Sequence, residues 1–331
     1  MGKTPTIYDV SELAGVSTAT ISRVLNNPEK VKPCTKEKVM MAIQELGYRP
    51  LLEARLRTAH DFERICVCAP RFTENSFVER LRGITVALAG QDYELQVYSV
   101  ASKLQMDRFI DSLELRGLNG LITLSIPFTD EQIKRIKECG IEMVMIEYSS
   151  PLTNCVVIDD RMGGKLAAQH LIEKGRKKFG FAAELNKSDY SVYPISGRLE
   201  GYQSTLKSHG FELNPRYIYD VKCDTDQTYL NFLKIFRSGE FPDAIFAAAD
   251  VQALGILRAA KEVGLNIPQD VAVIGFDDID FADYVGLTTI RQNLDHSGKV
   301  AVDLLINRLK DPERLMQLVQ LPVELVVRKT T

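Results

Sequence analysis

Hydrophobic positions in the first 47 residues recur at the spacing of an α-helix. Three groups of apolar side chains show this period: Val10, Leu13 and Ala14; Ile21, Val24 and Leu25; and Val39, Ile43 and Leu46. Residues three and four apart share one face of a helix, so each group gives a short helix one apolar side. A cap near Thr35 and a stop at Gly47 are expected to bound the third helix. The pattern predicts three short helices around a small common core.

The residues around the first two predicted helices are typical of a helix-turn-helix. Thr6 stands three residues before Asp9, the spacing of a capping box, and Ser17 can cap a second helix that begins at Thr18. Two short helices joined by a three-residue turn form a helix-turn-helix, whose second helix can enter the major groove of DNA.

The outer face of the second predicted helix suits base recognition. It consists of Thr18, Ala19, Ser22, Arg23 and Asn26. Arg23 can donate a bidentate pair to guanine, and Ala19 can touch a thymine methyl group. Thr18 and Ser22 can reach base edges or phosphates. Phosphate contacts, which carry no sequence information, are expected from four lysines: Lys30, Lys32, Lys36 and Lys38. A small helical bundle with a solvated polar face is the alternative interpretation of this periodicity.

From Arg64 onward, short apolar runs alternate with amphipathic segments. The predicted strands are Ile65–Ala69, Leu95–Ser99, Gly120–Leu124, Met143–Glu147, Val156–Ile158, Phe179–Ala183, Ile218–Val221, Ala244–Ala248 and Val271–Phe276. The predicted helices include Val78–Gly90, Leu104–Arg116, Gln132–Cys139, Gly163–Lys174 and Val251–Val263. This alternation predicts two doubly wound parallel α/β lobes. We expect crossovers between them near Asp159–Arg161, Thr289–Asn293 and Leu321–Val323.

Ligands of such folds bind outside the carboxyl ends of the strands, in the crevice between lobes. Asp277 follows an apolar strand and can accept two hydroxyl hydrogen bonds there. Arg198 offers a planar fork of donors, and Phe77 can stack on a sugar face or a base. Alternatively, Arg198 and Asp277 pair with each other across the cleft, and Asp250 caps a helix that begins at Val251.

Charge and composition narrow the functional classes. The chain has 331 residues, of which 26% are charged and 45% hydrophobic, and no apolar run approaches the roughly 18 residues needed to span a bilayer. No secretion segment follows the N-terminus, and the six scattered cysteines are interpreted as reduced cytosolic thiols. The net charge of −3 conceals a basic head, because residues 1–60 hold nine Lys/Arg and six Asp/Glu. This asymmetry favours a DNA-binding module on an acidic body.

Catalytic, metal and nucleotide motifs are not found in the sequence. The four histidines are widely spaced, and Cys66 and Cys68 on one strand would point to opposite faces. The run Asp277–Asp280 resembles half of a calcium loop but lacks its glycine and distal glutamate. Neither GxxxxGK[ST] nor GxGxxG after a strand occurs. Gly163-Gly164 at a predicted helix start could bind an anion, but a plain helix start is preferred. We expect no enzyme activity, no metal and no cofactor.

The segment Thr6–Asn26 resembles the opening signature of the lac repressor family of bacterial transcription regulators. The likeness continues through Val31, Thr35, Val39, Ile43, Leu46, Gly47-Tyr48 and Pro50. The resemblance implies a homodimer that reads a pseudo-palindromic operator in double-stranded DNA. The DNA-contacting residues that it implies, together with those inferred above, are Thr6, Tyr8, Ser17, Thr18, Ala19, Thr20, Ser22, Arg23, Asn26, Lys32, Ala54, Arg55, Leu56 and Arg57.

The segment after Pro50 departs from the family pattern. Family members usually continue with a helix-capping Asn and place a leucine seven residues after the proline, where it wedges into the minor groove. Here Leu51 replaces the Asn, and Arg57 holds the wedge position with Leu56 one residue early. An arginine reads a narrow minor groove electrostatically, whereas an apolar wedge kinks DNA. Three possibilities stay open: a shifted Leu56 wedge, an Arg57 minor-groove contact, which we favour, or a hinge that does not order as in relatives.

The resemblance extends over the body, to about Val327, and is shared with periplasmic sugar-binding proteins. It implies an effector site between the lobes formed by Asn75, Phe77, Glu147, Arg198, Asp250 and Asp277. Three positions depart from the family pattern: Ala249 replaces a usual Asn or Ser, Glu184 a usual Gly, and Arg176 a usual His. The two acids and one arginine favour a neutral polyhydroxy ligand over a phosphorylated one.

These observations predict a repressor of carbohydrate-utilisation genes, gated by a small sugar-like effector in the cleft. Two alternatives are a global catabolite regulator with a phosphorylated carrier protein as corepressor, and a sugar-binding protein without regulatory role. The expected domains are the helix-turn-helix over 1–49, a hinge over 50–61 and the effector and dimerisation domain over 62–331. Within it, one lobe covers about 62–160 and 292–322, and the other 161–291 and 323–331. We expect a cytoplasmic bacterial protein, associated with the nucleoid when bound to DNA and without membrane contact.

Overall fold

The structure, a computed structural model, describes residues 5–26, 31–47, 63–186, 190–192 and 194–331. The chain forms two compact units. One contains Met1–Glu63 and Ser112–Gly117, and the other contains Arg64–Asp111 and Leu118–Thr331. We call the first three helices the head and the second unit the body. Within the described ranges, every helix is too short or too polar to cross a lipid bilayer.

The head contains the three predicted helices: α1 (Ile7–Ala14), α2 (Thr18–Asn26) and α3 (Pro33–Leu46). The capping box is confirmed, because the Thr6 hydroxyl accepts from the Asp9 amide and the Asp9 carboxylate accepts from the Thr6 amide. The Ser17 hydroxyl accepts from the Thr20 amide at 3.2 Å and so caps α2, as predicted. The expected cap near Thr35 was wrong. Instead α3 begins directly with Pro33, whose fixed φ suits a first helical position.

The head core differs from the prediction at several positions, since it lacks Leu13 and also contains Ile7, Val16, Val31 and Ala42. Its fully buried members are Val10, Ile21, Val24, Val39 and Ala42. Leu13, expected in this core, is 46% exposed, and Ile7 packs there in its place. At about 100° per residue, Ile7 and Ala14 lie on the same side of Val10, whereas Leu13 lies on the other. The buried face of α1 is therefore formed by Ile7, Val10 and Ala14, and not by Val10, Leu13 and Ala14.

The first lobe of the body is a six-stranded sheet covered by helices. Its strands are β1 (Glu63–Ala69), β2 (Tyr93–Ser99), β3 (Gly120–Leu124), β4 (Glu142–Ile146), β5 (Asn154–Ile158) and β11 (Leu318–Leu321), in the order β11-β5-β4-β3-β1-β2. Its helices are α4 (Asn75–Leu88), α5 (Lys103–Asp111), α7 (Asp130–Glu138) and α13 (Leu294–Lys310). The predicted helix Leu104–Arg116 is divided, since α5 ends at Asp111 and a separate helix, α6 (Leu113–Arg116), follows.

The second lobe repeats this architecture. Its strands are β6 (Phe179–Ala183), β7 (Ile218–Asp220), β8 (Ala244–Ala247), β9 (Ala272–Asp277), β10 (Thr288–Arg291) and β12 (Glu324–Val326), in the order β12-β10-β9-β8-β6-β7. Its helices are α8 (Asp160–Glu173), α9 (Ile195–Ser208), α10 (Thr225–Ser238), α11 (Asp250–Val263) and α12 (Phe281–Tyr284), and a 3₁₀ turn spans Pro215–Tyr217. Strand β12 is antiparallel to β10, and the other pairs in this sheet are parallel.

The predicted fold class is confirmed by this architecture. Phe246 and Ile274 point to the core shared with α8 and α9, whereas Ile245 and Val273 point to the core shared with α10 and α11. Strands buried on both faces are typical of parallel sheets with helices on both sides. The chain passes between the lobes between β5 and α8, between β10 and α13, and between β11 and β12. The sequence pattern missed β10, β11 and β12, which are only three or four residues long.

Glycines allow two helix pairs to approach closely. A Cβ on Gly83 of α4 would lie 1.8 Å from the backbone oxygen of Asp295 in α13. In the second lobe, a Cβ on Gly201 of α9 would lie 1.9 Å from the backbone oxygen of Arg161 in α8. Only glycine fits at such crossings. Gly164, considered as a helix start, lies inside α8 with Arg198 packed against it, so it serves this packing instead.

Candidate DNA-binding face and ligand cavity

Helix α2 presents most of the predicted base-contacting side chains at the surface. Ala19, Ser22 and Arg23 are exposed, whereas Thr18 and Thr20 are half-buried. Ile21 and Val24, on the opposite side, are buried in the head core. The helix therefore has one buried and one polar exposed face, as the second helix of a helix-turn-helix requires.

The other predicted DNA contacts have mixed positions. Tyr8 is 65% exposed and Lys32 is exposed just before α3, so both can reach a ligand. The hydroxyls of Thr6 and Ser17 are engaged in capping α1 and α2. The side chain of Asn26 and the hinge positions Ala54, Arg55, Leu56 and Arg57 lie outside the described residues, as do the departures at Leu51 and Arg57.

A cavity of about 300 Å³ lies between the two lobes of the body. The first lobe contributes Arg71, Glu74, Ser76, Phe77, Ser125 and Glu147, and the second contributes Glu184, Asn186, Tyr190, Ser191, Arg198, Cys223, Ala249, Gln252 and Asp277. Gln292 contributes from the second crossover, and four apolar residues of the second lobe complete the lining: Val192, Pro194, Ile195 and Ala248. Ser125, Glu147, Glu184 and Asp277 lie at or directly after the ends of β3, β4, β6 and β9, the edge at which doubly wound folds bind ligands.

Backbone strain is concentrated at this cavity. Five non-glycine residues of the described part have positive φ: Ser125 at 55°, Glu147 at 69°, Asp277 at 122°, Asp278 at 56° and Asn293 at 53°. Three of them line the cavity, and Asn293 is next to the lining residue Gln292. Such conformations cost about 1–3 kcal/mol each and persist where the surroundings fix them. The strain turns polar side chains toward the space between the lobes.

Arg198 is held rigidly within the second lobe. Its Nε donates to Asp160 at 2.8 Å, its Nη1 donates to the Ala248 carbonyl at 2.6 Å, and its guanidinium lies 3.6 Å from the centre of the Phe276 ring. Burial opposes its charge, but Asp160 and Asp277 outweigh burial and raise the pKa of Arg198. The alternative of a direct pair between Arg198 and Asp277 is therefore wrong: Asp160 is the ion-pair partner.

A chain of polar contacts connects the cavity wall of the first lobe to Asp277. Glu147 accepts from Ser125 and from the buried Arg80 of α4. The same guanidinium donates to the Gln292 side chain at 3.1 Å, and the Gln292 amide donates to Asp277. Glu147 and Asp277, both predicted from the sequence, are thereby connected through two residues that the sequence analysis missed.

Two cavity carboxyl groups have raised pKa values. Burial raises the pKa of Asp277 to about 6, although Arg198 and Gln292 act in the opposite direction. Burial likewise raises the pKa of Glu74 to about 6, against Arg71 and with the help of Glu184, Asp277 and Glu147. The cavity thus concentrates negative charge in a partly desolvated space.

Two predicted effector residues do not line the cavity. Asn75 begins α4 with an exposed side chain, while its neighbours Glu74 and Ser76 face the cavity. Asp250 is fully buried: its carboxylate accepts from the Thr289 hydroxyl at 2.5 Å and from the Ile279 amide at 3.0 Å. It does not cap the helix either, because α11 begins at Asp250 itself and Ala249 is the N-cap residue.

Several lining residues that the sequence analysis did not predict lie in loops, where hydrophobic periodicity gives no information. Arg71 and Glu74 lie in the segment before α4, and Asn186 and Ser191 in the segment between β6 and α9. Buried Arg80 and half-buried Asp160 support the cavity residues Glu147 and Arg198 from neighbouring helices. A charged residue on the apolar face of a predicted helix is a signal that could have identified them from the sequence. The acidic run after β9 is no metal loop, since Asp278 pairs with Arg291 and Arg328 at 2.8 Å each. Among the described residues, no group of three or more His, Cys, Asp or Glu side chains could hold a metal ion.

A helix-turn-helix and a two-lobed domain with a polar cavity define a ligand-responsive DNA-binding regulator. Residues 6–50 match the family of bacterial regulatory proteins named for lacI, and residues 168–331 match the periplasmic binding protein-like domain. Across 98% of both chains, the sequence is 30% identical to the HTH-type transcriptional repressor PurR of Vibrio vulnificus strain CMCP6. The chain therefore belongs to the lacI family and is a DNA-binding transcriptional repressor with a ligand-binding domain.

Solved structures share this fold. The lac repressor dimer bound to operator and the anti-inducer ONPF is 26% identical and superimposes with a TM-score of 0.70, covering 99% of both chains. A lacI-family regulator of Enterococcus faecium with bound ribose is also 26% identical, with a TM-score of 0.71 over 81% of this chain and 98% of that chain. These relatives confirm the expected family and a regulator rather than an enzyme.

Proposed function

We propose that this repressor acts as a homodimer on a pseudo-palindromic operator and is gated by a sugar or sugar derivative in the interlobe cavity. The observation that carries the proposal is the combination of an exposed polar face on α2 with a polar cavity between two lobes. Operator binding places the working protein on the chromosome, in the bacterial cytoplasm.

The head supplies the sequence-reading part of this function. Exposed Arg23 can donate two parallel hydrogen bonds to guanine in the major groove, and Ala19 can contact a thymine methyl group. Exposed lysines around α3, such as Lys32 and Lys36, can contact phosphates and position the module. The proposed division into a head over 1–49, a hinge over 50–61 and a two-lobed domain over 62–331 follows from these roles.

The cavity supplies the effector-sensing part. Serine, asparagine and glutamine side chains among its lining residues can exchange hydrogen bonds with hydroxyl groups, and Phe77 offers an apolar face to a ring. A ligand that contacts both lobes stabilises one lobe arrangement over another in proportion to its differential affinity. Through the hinge, this difference would change operator affinity. The ribose-bound Enterococcus faecium relative favours a sugar.

A purine base is the second candidate effector. The similarity to PurR repressors across 98% of both chains favours it. Against it, the described cavity lining contains only two aromatic side chains, Phe77 and Tyr190, beside five aliphatic residues, whereas the other thirteen lining residues are charged, polar or cysteine. A flat base needs apolar surface on its faces, whereas a sugar needs many hydrogen-bond partners around its rim. The lining therefore supports a sugar better.

Selection of binding sites from random DNA tests the proposal. The full-length protein should enrich a pseudo-palindrome. Replacing Arg23 with alanine should cost about 1–3 kcal/mol at one base pair per half-site and relax the preference there. Binding to that site and to variants changed at each position, measured at several salt concentrations, gives this penalty.

Lys36→Ala is the matched control, since Lys36 is also an exposed base of the head. It should weaken binding to all sequences alike and reduce the salt dependence by about one released ion. If Arg23→Ala also weakens all sequences alike, Arg23 is a phosphate contact. If no sequence is enriched, either without ligand or with candidate sugars and purines added, the function itself is refuted.

A further inference from the structure

The charges that line the cavity do not balance. Its described lining contains four carboxylates, Glu74, Glu147, Glu184 and Asp277, against the two guanidinium groups of Arg71 and Arg198. A ligand that enters this space therefore meets an excess of negative charge. Which carboxylates carry this excess charge depends on the ion pairs that the lining residues already form within the protein.

Both guanidinium groups are already paired. Arg71 Nε lies 2.6 Å from a Glu74 carboxylate oxygen, and Arg198 Nε lies 2.8 Å from Asp160. Behind the wall, buried Arg80 pairs with Glu147. Each lining arginine already neutralises one carboxylate, so an anionic ligand would add its charge to an existing excess of negative charge.

Glu184 and Asp277 are the two carboxylates left without a cationic partner among the described residues. Glu184 accepts from the backbone amide of Cys223 at 3.2 Å, and Asp277 accepts from the Gln292 side-chain amide. Both donors are neutral, so the negative charges are retained. The undescribed positions 187–189 contain one lysine and one aspartate, and position 193 is a tyrosine, so they add no net charge.

The two unpaired carboxylates act on the same part of the cavity. Burial is the largest cause of the raised pKa of the Cys223 thiol, and the charges of Glu74, Asp277 and Glu184 raise this pKa further. The same charges of Glu184 and Asp277 contribute to the raised pKa of Glu74. The carboxylates of both lobes therefore converge electrostatically on the region around Cys223.

We propose that the effector is a small organic cation: a protonated amine on a hydroxylated ring, as in an amino sugar, with its ammonium group held by Glu184 and Asp277. An ammonium has three donors, matches carboxylate acceptors and halves the excess of two negative charges. Serine and amide side chains of the lining can bind the hydroxyl groups, and Phe77 can cover the ring. Glu184 is then the residue that determines specificity for the amine.

This inference rests on the proposed function, because it requires the cavity to be the effector site. An organic cation fits better than a metal ion, since no group of three or more His, Cys, Asp or Glu in the described ranges could hold one. A cavity of about 300 Å³ is also at the small end of ligand pockets, which suits a single ring.

Three matched pairs of sugars test the charge requirement: glucosamine against glucose, galactosamine against galactose, and mannosamine against mannose. Calorimetric titration of the full-length protein at pH 7.5 gives each affinity, and a thermal-shift assay with hypoxanthine and glucose 6-phosphate covers a purine and an anion. At least one amine should bind about tenfold or more tightly than its parent sugar, as expected for charge-assisted hydrogen bonds.

Glu184→Gln removes the charge but keeps an oxygen that can accept from the Cys223 amide. It should reduce amine affinity about tenfold or more and leave the affinity for the parent sugar within about threefold. Glu240→Gln is the matched control, because Glu240 is exposed on the same lobe and outside the cavity lining. It should leave both affinities unchanged.

The inference is overturned if no amine binds, if a neutral sugar, the purine or the anion binds more tightly than every amine, or if Glu184→Gln does not affect amine binding. If a ligand other than an amine binds most tightly, the cavity remains an effector site, provided that Phe77→Ala weakens the binding of that ligand. Failure of the repressor function is a different result, since it appears as a loss of operator selection whatever ligand binds.

Discussion

Asp277 combines three properties that a single residue rarely shares. It is 8% exposed, its φ is 122°, and burial raises its pKa to about 6. The position favours contact with a ligand over stability, since a buried carboxylate without a cation destabilises the protein around it. Gln292 lowers this cost with one hydrogen bond but does not remove the charge.

The raised pKa of Asp277 predicts a pH-dependent effect of Asp277→Asn. Because the folded pKa lies above the ordinary value of 3.8, the stability that this group contributes is present at low pH and is lost as pH rises through 6. Asparagine has no such charge and tolerates positive φ. Relative to the natural protein, Asp277→Asn should therefore gain about 2 kcal/mol in free energy of unfolding between pH 4.5 and 7.5, measured by urea denaturation.

Asp303→Asn, on the exposed side of α13, is the control and should show a difference below about 0.5 kcal/mol at both pH values. An equal stability difference for Asp277→Asn at both pH values would mean that its carboxylate is not perturbed.

At single positions, four lining residues were predicted from the sequence, and the lining residues in loops were not. Arg198 and Phe77 were predicted from their side-chain chemistry, Glu147 from the resemblance to the lac repressor family, and Asp277 from its place after an apolar strand. Asp250 has the same kind of position, but its side chain points into the protein toward Thr289. A sequence shows that a carboxylate lies at a strand end, and the rotation of the following helix turn decides which way it points.

Among the elements, helices α4 and α13 pack closely against each other, and this packing positions residues that line the cavity. Gly83 and Gly298 bring the two helix backbones together, and Arg80, one turn before Gly83, supports Glu147 and Gln292. Helix α4 was predicted from the sequence as Val78–Gly90, whereas α13 was not among the predicted helices. The strands β10, β11 and β12 were not predicted, although β7 and β8 are equally short, because they lie at the crossovers, outside the regular alternation of strand and helix, and β11 pairs with a strand far away in the sequence.

Gly83→Ala should destabilise the body although alanine favours helices more. The added Cβ would lie 1.8 Å from the Asp295 carbonyl oxygen, so the two helices must separate at a cost of about 1–3 kcal/mol. Sugar affinity should fall as well, because Arg80 moves with α4. Urea denaturation and calorimetric titration give the two quantities. Thr85→Ala, at an exposed position of the same helix, should change both little; equal stability of the two variants would refute close packing at Gly83.

For the whole molecule, exposed apolar side chains on the first lobe support the proposed homodimer. Val78 and Val86 on α4, Val97 on β2 and Leu104 on α5 are 43%, 58%, 50% and 59% exposed. A lac repressor relative is a dimer on its operator. Val78 and Val86 share helix α4, which makes this helix a candidate for the association surface.

Val86→Arg should therefore dissociate the dimer, because a charge would be buried in the interface. Sedimentation velocity should show the natural protein as a dimer and the variant as a monomer at micromolar concentration, with weaker operator binding. Leu230→Arg is the control: Leu230 is 48% exposed on α10 of the other lobe, and the protein should stay a dimer. If the Val86→Arg variant still sediments as a dimer, the interface lies elsewhere on the protein.

The interleaved chain path determines when the protein can finish folding during synthesis. Strand β11, which pairs with β5, and helix α13, which fills the core above β3 and β4, are made more than 130 residues after β5 itself. At about 5–20 residues per second, the ribosome needs roughly 7–30 s to reach them. Throughout that interval the newly made first lobe lacks one helix and exposes the edge of β5 to other chains. Slow translation or a missing chaperone should therefore lower the yield of folded protein, because this edge stays exposed for longer.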